Sequence, residues 1–164
     1  MNEKSQVILE EAGWYEGRKI DATEWCLYFK RGGIKYLESF RSFFEEFGLL
    51  DIKYKNVIFS EKKDDFYSEE QITIPSADEP VDIQNFSYDE KYENEEILVF
   101  QKIINEKLMR IGLFGKGNYN LFISESGKFY DDDGLLAENK NDLWDCLIEK
   151  DYTNAISYEE LQKI

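Results

Sequence analysis

"LESFRSFFEEFGLLDIKYKNVIFS", residues 37–60, changes its hydrophobic period halfway, and that change decides the fold. In its first half Leu37, Phe40, Phe44 and Phe47 recur at helical spacing, with Tyr36 and Phe43 widening the stripe. Glu38, Arg41, Ser42, Glu45 and Glu46 take the opposite side, so the spacing predicts an amphipathic helix from about Lys35 that Gly48 stops. From Leu50 the period falls to two. Leu50, Ile52 and Tyr54 alternate, then Val57 and Phe59, which predicts a strand, a tight turn near Lys55-Asn56 and a second strand.

Before this stretch the chain reads as two helices joined by a corner. Val7, Ile8 and Ala12 mark one apolar face of a helix over about Ser5 to Ala12. Asp21 is placed to accept from the open amides of a second helix, in which Ala22, Trp25, Cys26 and Phe29 fall on one face and which Gly32-Gly33 ends. Between them lies "GWYEGR", residues 13–18. Gly13 suits the left-handed position after a helix, Gly17 another positive φ, and Trp14 can fold back onto the core. The planar donors of Arg18 suit a carboxylate, Asp21 being one candidate, or the carbonyls at a helix end.

After it, "QITIPS" predicts a short strand ended by Pro75, which cannot donate to a ladder. Residues 76–96 are acidic and loop-like. Ile97, Phe100, Ile104 and Leu108 have helical spacing and hand over to a strand at "LMRIGLF". "GNYNLFISESGKFYDDDG" predicts a hairpin turning at "ESGK", and Leu143, Trp144, Leu147 and Ile148 a last helix. Ser157 and Glu160 have the spacing of a capping box. Helices, strands, a helix, strands and a helix, with no repeat or linker among 164 residues, predict a single α+β domain: a mixed or mainly antiparallel sheet flanked by helices. Residues 1–150 form its body, and 151–164 an extension with a short helix packing on the same domain.

Composition narrows the chemistry. There is no histidine, which removes the commonest general base, the histidine-activated nucleophiles and most zinc sites. "GLFGKGNY" lacks the spacing of a phosphate loop and the Ser/Thr after its lysine. "YDDDG" lacks the alternation and the distal glutamate of a calcium loop, and reads as a solvated turn. No metal site, cofactor or catalytic residue is expected, and the chain is read as no enzyme. A net charge of −15 opposes binding to nucleic acid or anionic membranes and favours basic partners. Residues 61–96 hold 13 acidic side chains against three basic ones, two thirds of that imbalance. Cys26 and Cys146, each among apolar residues, read as buried free thiols of a reducing cytoplasm, a bridge between them being allowed but not required. The acidic, amphipathic N-terminal residues do not read as a secretory signal, and no apolar run is long enough to span a membrane.

Four features in combination resemble the third subfamily of the SUKH superfamily: "AGWYEGRKID" after a short first helix, a helix ending at Gly32-Gly33, "SFFEEFGLLDI" passing from helix to strand, and "MRIGLFGKGNYNLFISESGKFYDDDG" before a helix. Gly13, Trp14, Gly17, Arg18, Phe47 and Gly48 carry the resemblance, which spans roughly residues 5–150. The family often has a second glycine where this chain has Leu49. The resemblance implies a non-catalytic bacterial immunity protein of a polymorphic toxin system, a monomer or weak homodimer that binds a cognate toxin in the cytoplasm. Together with the charge it points to a basic toxin, a nuclease or another enzyme acting on nucleic acids or nucleotides. The expected toxin-facing residues are Asp64, Asp65, Phe66, Tyr67, Glu69 and Glu70, with Tyr88 a further aromatic anchor, joined by Asp131, Asp132 and Asp133. A regulatory or scaffold protein-binding domain unrelated to toxins is the alternative.

Overall fold

The phenylalanine stripe buries itself as its spacing requires. In the computed structural model, which describes residues 1–31, 35–59, 66–73, 93–114 and 119–164, Phe40, Phe43, Phe44 and Phe47 are all but fully buried. They lie on α3 (Glu38–Phe47). Phe43 and Phe47 sit 5.1 Å apart, and Phe47 reaches Trp144 at 4.9 Å. Tilted ring contacts of this kind add to the burial of large apolar area.

Two helices precede α3: α1 (Glu3–Glu11) and α2 (Thr23–Arg31). Asn2 caps α1 by accepting from the Ser5 amide, and Asp21 accepts from the Thr23 amide at 2.9 Å at the start of α2. The buried face of α1 carries Ser5 and Leu9, with Ile8 and Ala12 half-buried, whereas Val7 is exposed. The Val7 expectation fails because the buried face follows Ser5, Ile8, Leu9 and Ala12 at i, i+3, i+4 and i+7, and Val7, two residues from Ser5 and from Leu9, lies on the other side of the helix.

After α3 the strands and helices run β1 (Asp51–Phe59), β2 (Phe66–Thr73), α4 (Glu93–Ile104), β3 (Leu108–Phe114), β4 (Tyr119–Ser124), β5 (Phe129–Tyr130), β6 (Gly134–Ala137), α5 (Lys140–Glu149), β7 (Ile156–Ser157) and α6 (Tyr158–Leu161). Among the described residues seven strands lie side by side in chain order, each antiparallel to the next. The result is α+β, with the sheet between two layers of helix. Leu121 and Ile123 of β4 face the core built with α1, α2, α3 and α5, while Phe122 faces a smaller core with α4 and α6. Successive side chains of a strand point to opposite faces, so both faces of β4 are buried.

No turn forms at Lys55-Asn56. β1 runs through it, pairing with β2 from Asp51↔Thr73 to Phe59↔Phe66, with a register shift between Val57 and Phe59. The register sets Lys55 opposite Glu69. A continuous ladder outweighs the local turn preference of two residues. The strand expected at "QITIPS" is the end of a longer one that begins at Phe66. Pro75, Gly32-Gly33 and Tyr88 lie outside the described residues.

The exit from α3 differs from a glycine C′ turn. Gly48 has an ordinary φ of −57°, and the left-handed residue is Leu49 at φ 65°, with its side chain exposed. Gly48 is glycine for space: a Cβ there would lie 2.6 Å from the Phe44 carbonyl oxygen and 3.2 Å from both Ile20 and Trp25. A leucine in the left-handed region is strained by roughly 1–2 kcal/mol, partly offset by the chain entropy a glycine would lose. Leu49→Gly is therefore expected to raise stability by about 0.5–1 kcal/mol, read as a higher urea midpoint at unchanged slope.

Candidate functional site

The Gly-Trp-x-x-Gly-Arg stretch folds into the corner that joins α1 to the end of α3. Gly13 has φ 101°; its amide donates to Glu10 O at 3.0 Å and the Trp14 amide to Leu9 O at 2.8 Å. These two bonds form a Schellman motif, closing the carbonyls that a helix end leaves open. Gly17 has φ 77°. Trp14, 9% exposed, stacks on Phe47 at 6.5 Å and 7° and donates from Nε1 to Glu46 Oε1 at 3.3 Å. Among the described residues Arg18 bonds neither Asp21 nor any other carboxylate. Its two terminal nitrogens donate to the carbonyls of Glu46 at 2.5 Å and Gly48 at 2.8 Å. A cation there meets the negative end of the α3 dipole and two carbonyls with no helical partner. Glu46 also pairs with Lys140 at 2.5 Å, tying the corner to α5. Trp14 and Arg18 are thus engaged in contacts within the fold, while Gly13, Tyr15, Glu16 and Gly17 are exposed.

The expected toxin-facing residues separate into two places. Asp64 and Asp65 lie outside the described residues. Phe66, Tyr67, Glu69 and Glu70 are on β2, opposite Phe59, Val57, Lys55 and Tyr54. Asp131, Asp132 and Asp133 form the turn between β5 and β6, three strand spacings from β2, or roughly 14 Å.

These three aspartates do not make a uniform solvated turn. Asp131 is 7% exposed, and its Oδ1 accepts from the amides of Asp133 at 2.8 Å and Gly134 at 3.0 Å. Asp132 holds the neighbouring hairpin, accepting from the Asn120 amide and from its Nδ2, both at 2.8 Å. Asp133 alone is exposed. The turn needs an acceptor for two inward-pointing amides, and burying one carboxylate supplies it. Burial raises the Asp131 pKa to about 6, aided by the charges of Asp132 and Asp133 and opposed by the two amide bonds. A carboxyl raised from 3.8 binds its proton more tightly folded than unfolded. Its contribution to stability is complete below about 3.8 and is lost as pH rises through about 6. Asp131→Asn keeps the acceptor without the charge. It is expected to gain stability relative to the parent between pH 5 and 7.5, measured by urea unfolding at both; a constant difference contradicts this.

Beside that turn lies a recess of about 480 Å³, enclosed on its other side by residues 152–160. Tyr119 and Tyr152, each 43% exposed, line it together with Phe114, Asp131, Asp133 and Glu160. Tyr158 anchors this side: its amide donates to Asp133 O at 2.9 Å, its hydroxyl to Asp131 O at 3.2 Å, and its ring stacks on Phe100 at 4.1 Å. Gly134 lets β7 come close, since a Cβ there would lie 2.1 Å from the Ile156 carbonyl oxygen. Strands β6 and β7 and the recess escaped the sequence reading.

Cys26 and Cys146 are buried free thiols, and burial pushes Cys146 up to about 12. Among the described residues no group of His, Cys, Asp and Glu is arranged to hold a metal, and no helix is long and apolar enough to cross a membrane.

A family model described as SUKH-3 immunity protein matches residues 1–150. No curated protein and no solved structure matches the chain.

Proposed function

Since the chain belongs to the SUKH-3 immunity protein family, we propose that it binds and neutralises a cognate protein toxin in the cytoplasm, without catalysis of its own. The family match over residues 1–150 carries this reading. The charge distribution supports the finer part, that the toxin is basic and acts on nucleic acids or nucleotides. Enzymes that bind polyanions carry Lys/Arg surfaces. A partner of net charge −15 is steered onto such a surface and covers the path its substrate takes.

Within that reading the acidic segment 61–96, including Asp64, Asp65, Glu69 and Glu70, forms much of the toxin-facing surface. Phe66 and Tyr67 would then serve as anchors, aromatic residues being the usual carriers of interface energy. Co-expression with the cognate toxin, if the genes beside this one encode one, is expected to rescue growth. At low salt, neutralising those four acids together is expected to slow association with the toxin at least several-fold, because acidic rim charges act mainly on the encounter rate. An unchanged rate removes this segment from the interface.

A further inference from the structure

We propose that the recess between the β5–β6 turn and residues 152–160 receives an arginine side chain of the protein partner. The proposal rests on the toxin-binding reading above and names a contact within it.

Three observations converge on a guanidinium. First, the recess is large enough for a long side chain, at about 480 Å³. Its aromatic wall is also set up in advance, because Tyr119 stacks on Phe114 at 5.3 Å and 23°. A planar cation stacks on such a ring and gains from its negative face. Second, the lining is acidic without a counter-charge: Asp131, Asp133 and Glu160 face it, and no lysine or arginine among the described residues lines it. Third, Asp131, a residue only 7% exposed, spends Oδ1 on the turn amides. Its Oδ2 takes no hydrogen bond from the described residues, and no ion pair among them reaches Asp131 or Asp133. A carboxylate oxygen left open at a recess of this kind is suited to a donor that brings charge, and a guanidinium offers two such donors side by side.

The alternatives fit less well. An ammonium supplies one compact charge and no flat face for the tyrosine wall. A metal ion would require several carboxylate oxygens turned to one point, and the described acids are not so arranged.

The recess also bears on specificity. Tyr152, Ala155, Ile156, Ser157 and Glu160, which close it, lie beyond the residues matched by the family model. The extension thus adds to the shared domain a contact capable of choosing among related toxins, since a partner without the arginine leaves the recess unfilled.

The test uses the whole chain and n-butylguanidinium as the probe. Saturable amide shifts in NMR spectra are expected at Tyr119, Asp131, Asp133, Tyr152 and Glu160, at least several-fold weaker with n-butylammonium and absent with n-butanol. Asp131→Asn/Asp133→Asn keeps the turn acceptor and is expected to abolish the shifts and to weaken binding of the cognate toxin tenfold or more. Asp133→Asn alone, at an exposed position, is expected to reduce both if the double variant fails to fold. Absence of saturable shifts, equal response to butylammonium or a divalent metal, or unaltered toxin affinity in a folded variant overturns the arginine recess. A parent chain that shifts with the probe yet binds no toxin leaves the recess standing and overturns the toxin reading instead.

Discussion

Tyr158→Ala is expected to lose about 3–4 kcal/mol of folding stability, the usual cost of deleting a buried aromatic ring. Tyr158 is 7% exposed and lies flat on Phe100, 4.1 Å between centroids and 3° between planes, with Tyr130 at 6.4 Å beyond. Its hydroxyl also closes the Asp131 carbonyl. The smaller core on that face of the sheet has Leu108, Phe122, Tyr130 and Leu135 beneath it, with Ile97, Phe100, Ile103 and Ile104 of α4 packed against it. Removing the ring opens a cavity between α4 and the sheet. For a chain of this size the loss lowers the melting temperature by on the order of 10 °C. Deleting residues 151–164 should do at least as much, because Ile156 and Leu161 leave with the ring. If either variant melts like the parent, the extension is a passive tail and the recess it encloses has no firm wall.

Trp14→Ala should cost about 3 kcal/mol or more on the opposite face. The ring stacks on Phe47 in the same buried core that holds Leu9, to whose carbonyl the Trp14 amide donates. Trp14→Phe keeps the stack and loses only the long bond to Glu46, so it should recover most of the loss. Arg18→Lys is expected to fall short of the parent, since a single ammonium cannot span the carbonyls of Glu46 and Gly48 as the guanidinium fork does. These changes act on unfolding and leave the toxin affinity of the folded chain nearly unaltered. A Trp14→Ala chain that melts like the parent but no longer binds its toxin would make the corner a binding site.

What could be read in advance followed from local periodicity. The stripe of Phe40, Phe43, Phe44 and Phe47, the hairpin at Gly127 and the Ser157–Glu160 capping box each depend on residues a few positions apart. The features missed depend on partners far along the chain. Arg18 meets carbonyls 28 and 30 residues away, which leave no side-chain signature. Strand β1 passes through Lys55-Asn56 because β2 lies alongside it. β6, "GLLA", is apolar throughout because both its faces are buried, and so shows no alternation. β7 is two residues long and exists only against β6. In the candidate site, composition marked "DDD" as charged surface. The division of labour among buried Asp131, Asn120-bound Asp132 and exposed Asp133 arises from the turn's backbone amides, to which composition is blind.

The central claim is that this chain is an antidote that works by binding. Its most direct test mixes the purified chain with its cognate toxin, sought first among the products of the neighbouring genes, and follows complex formation and toxin activity in one titration. The account predicts a stable complex whose formation slows as salt rises, with toxin activity falling in proportion to the fraction bound. A toxin that stays fully active in the presence of excess chain, with no complex at low salt, would contradict it.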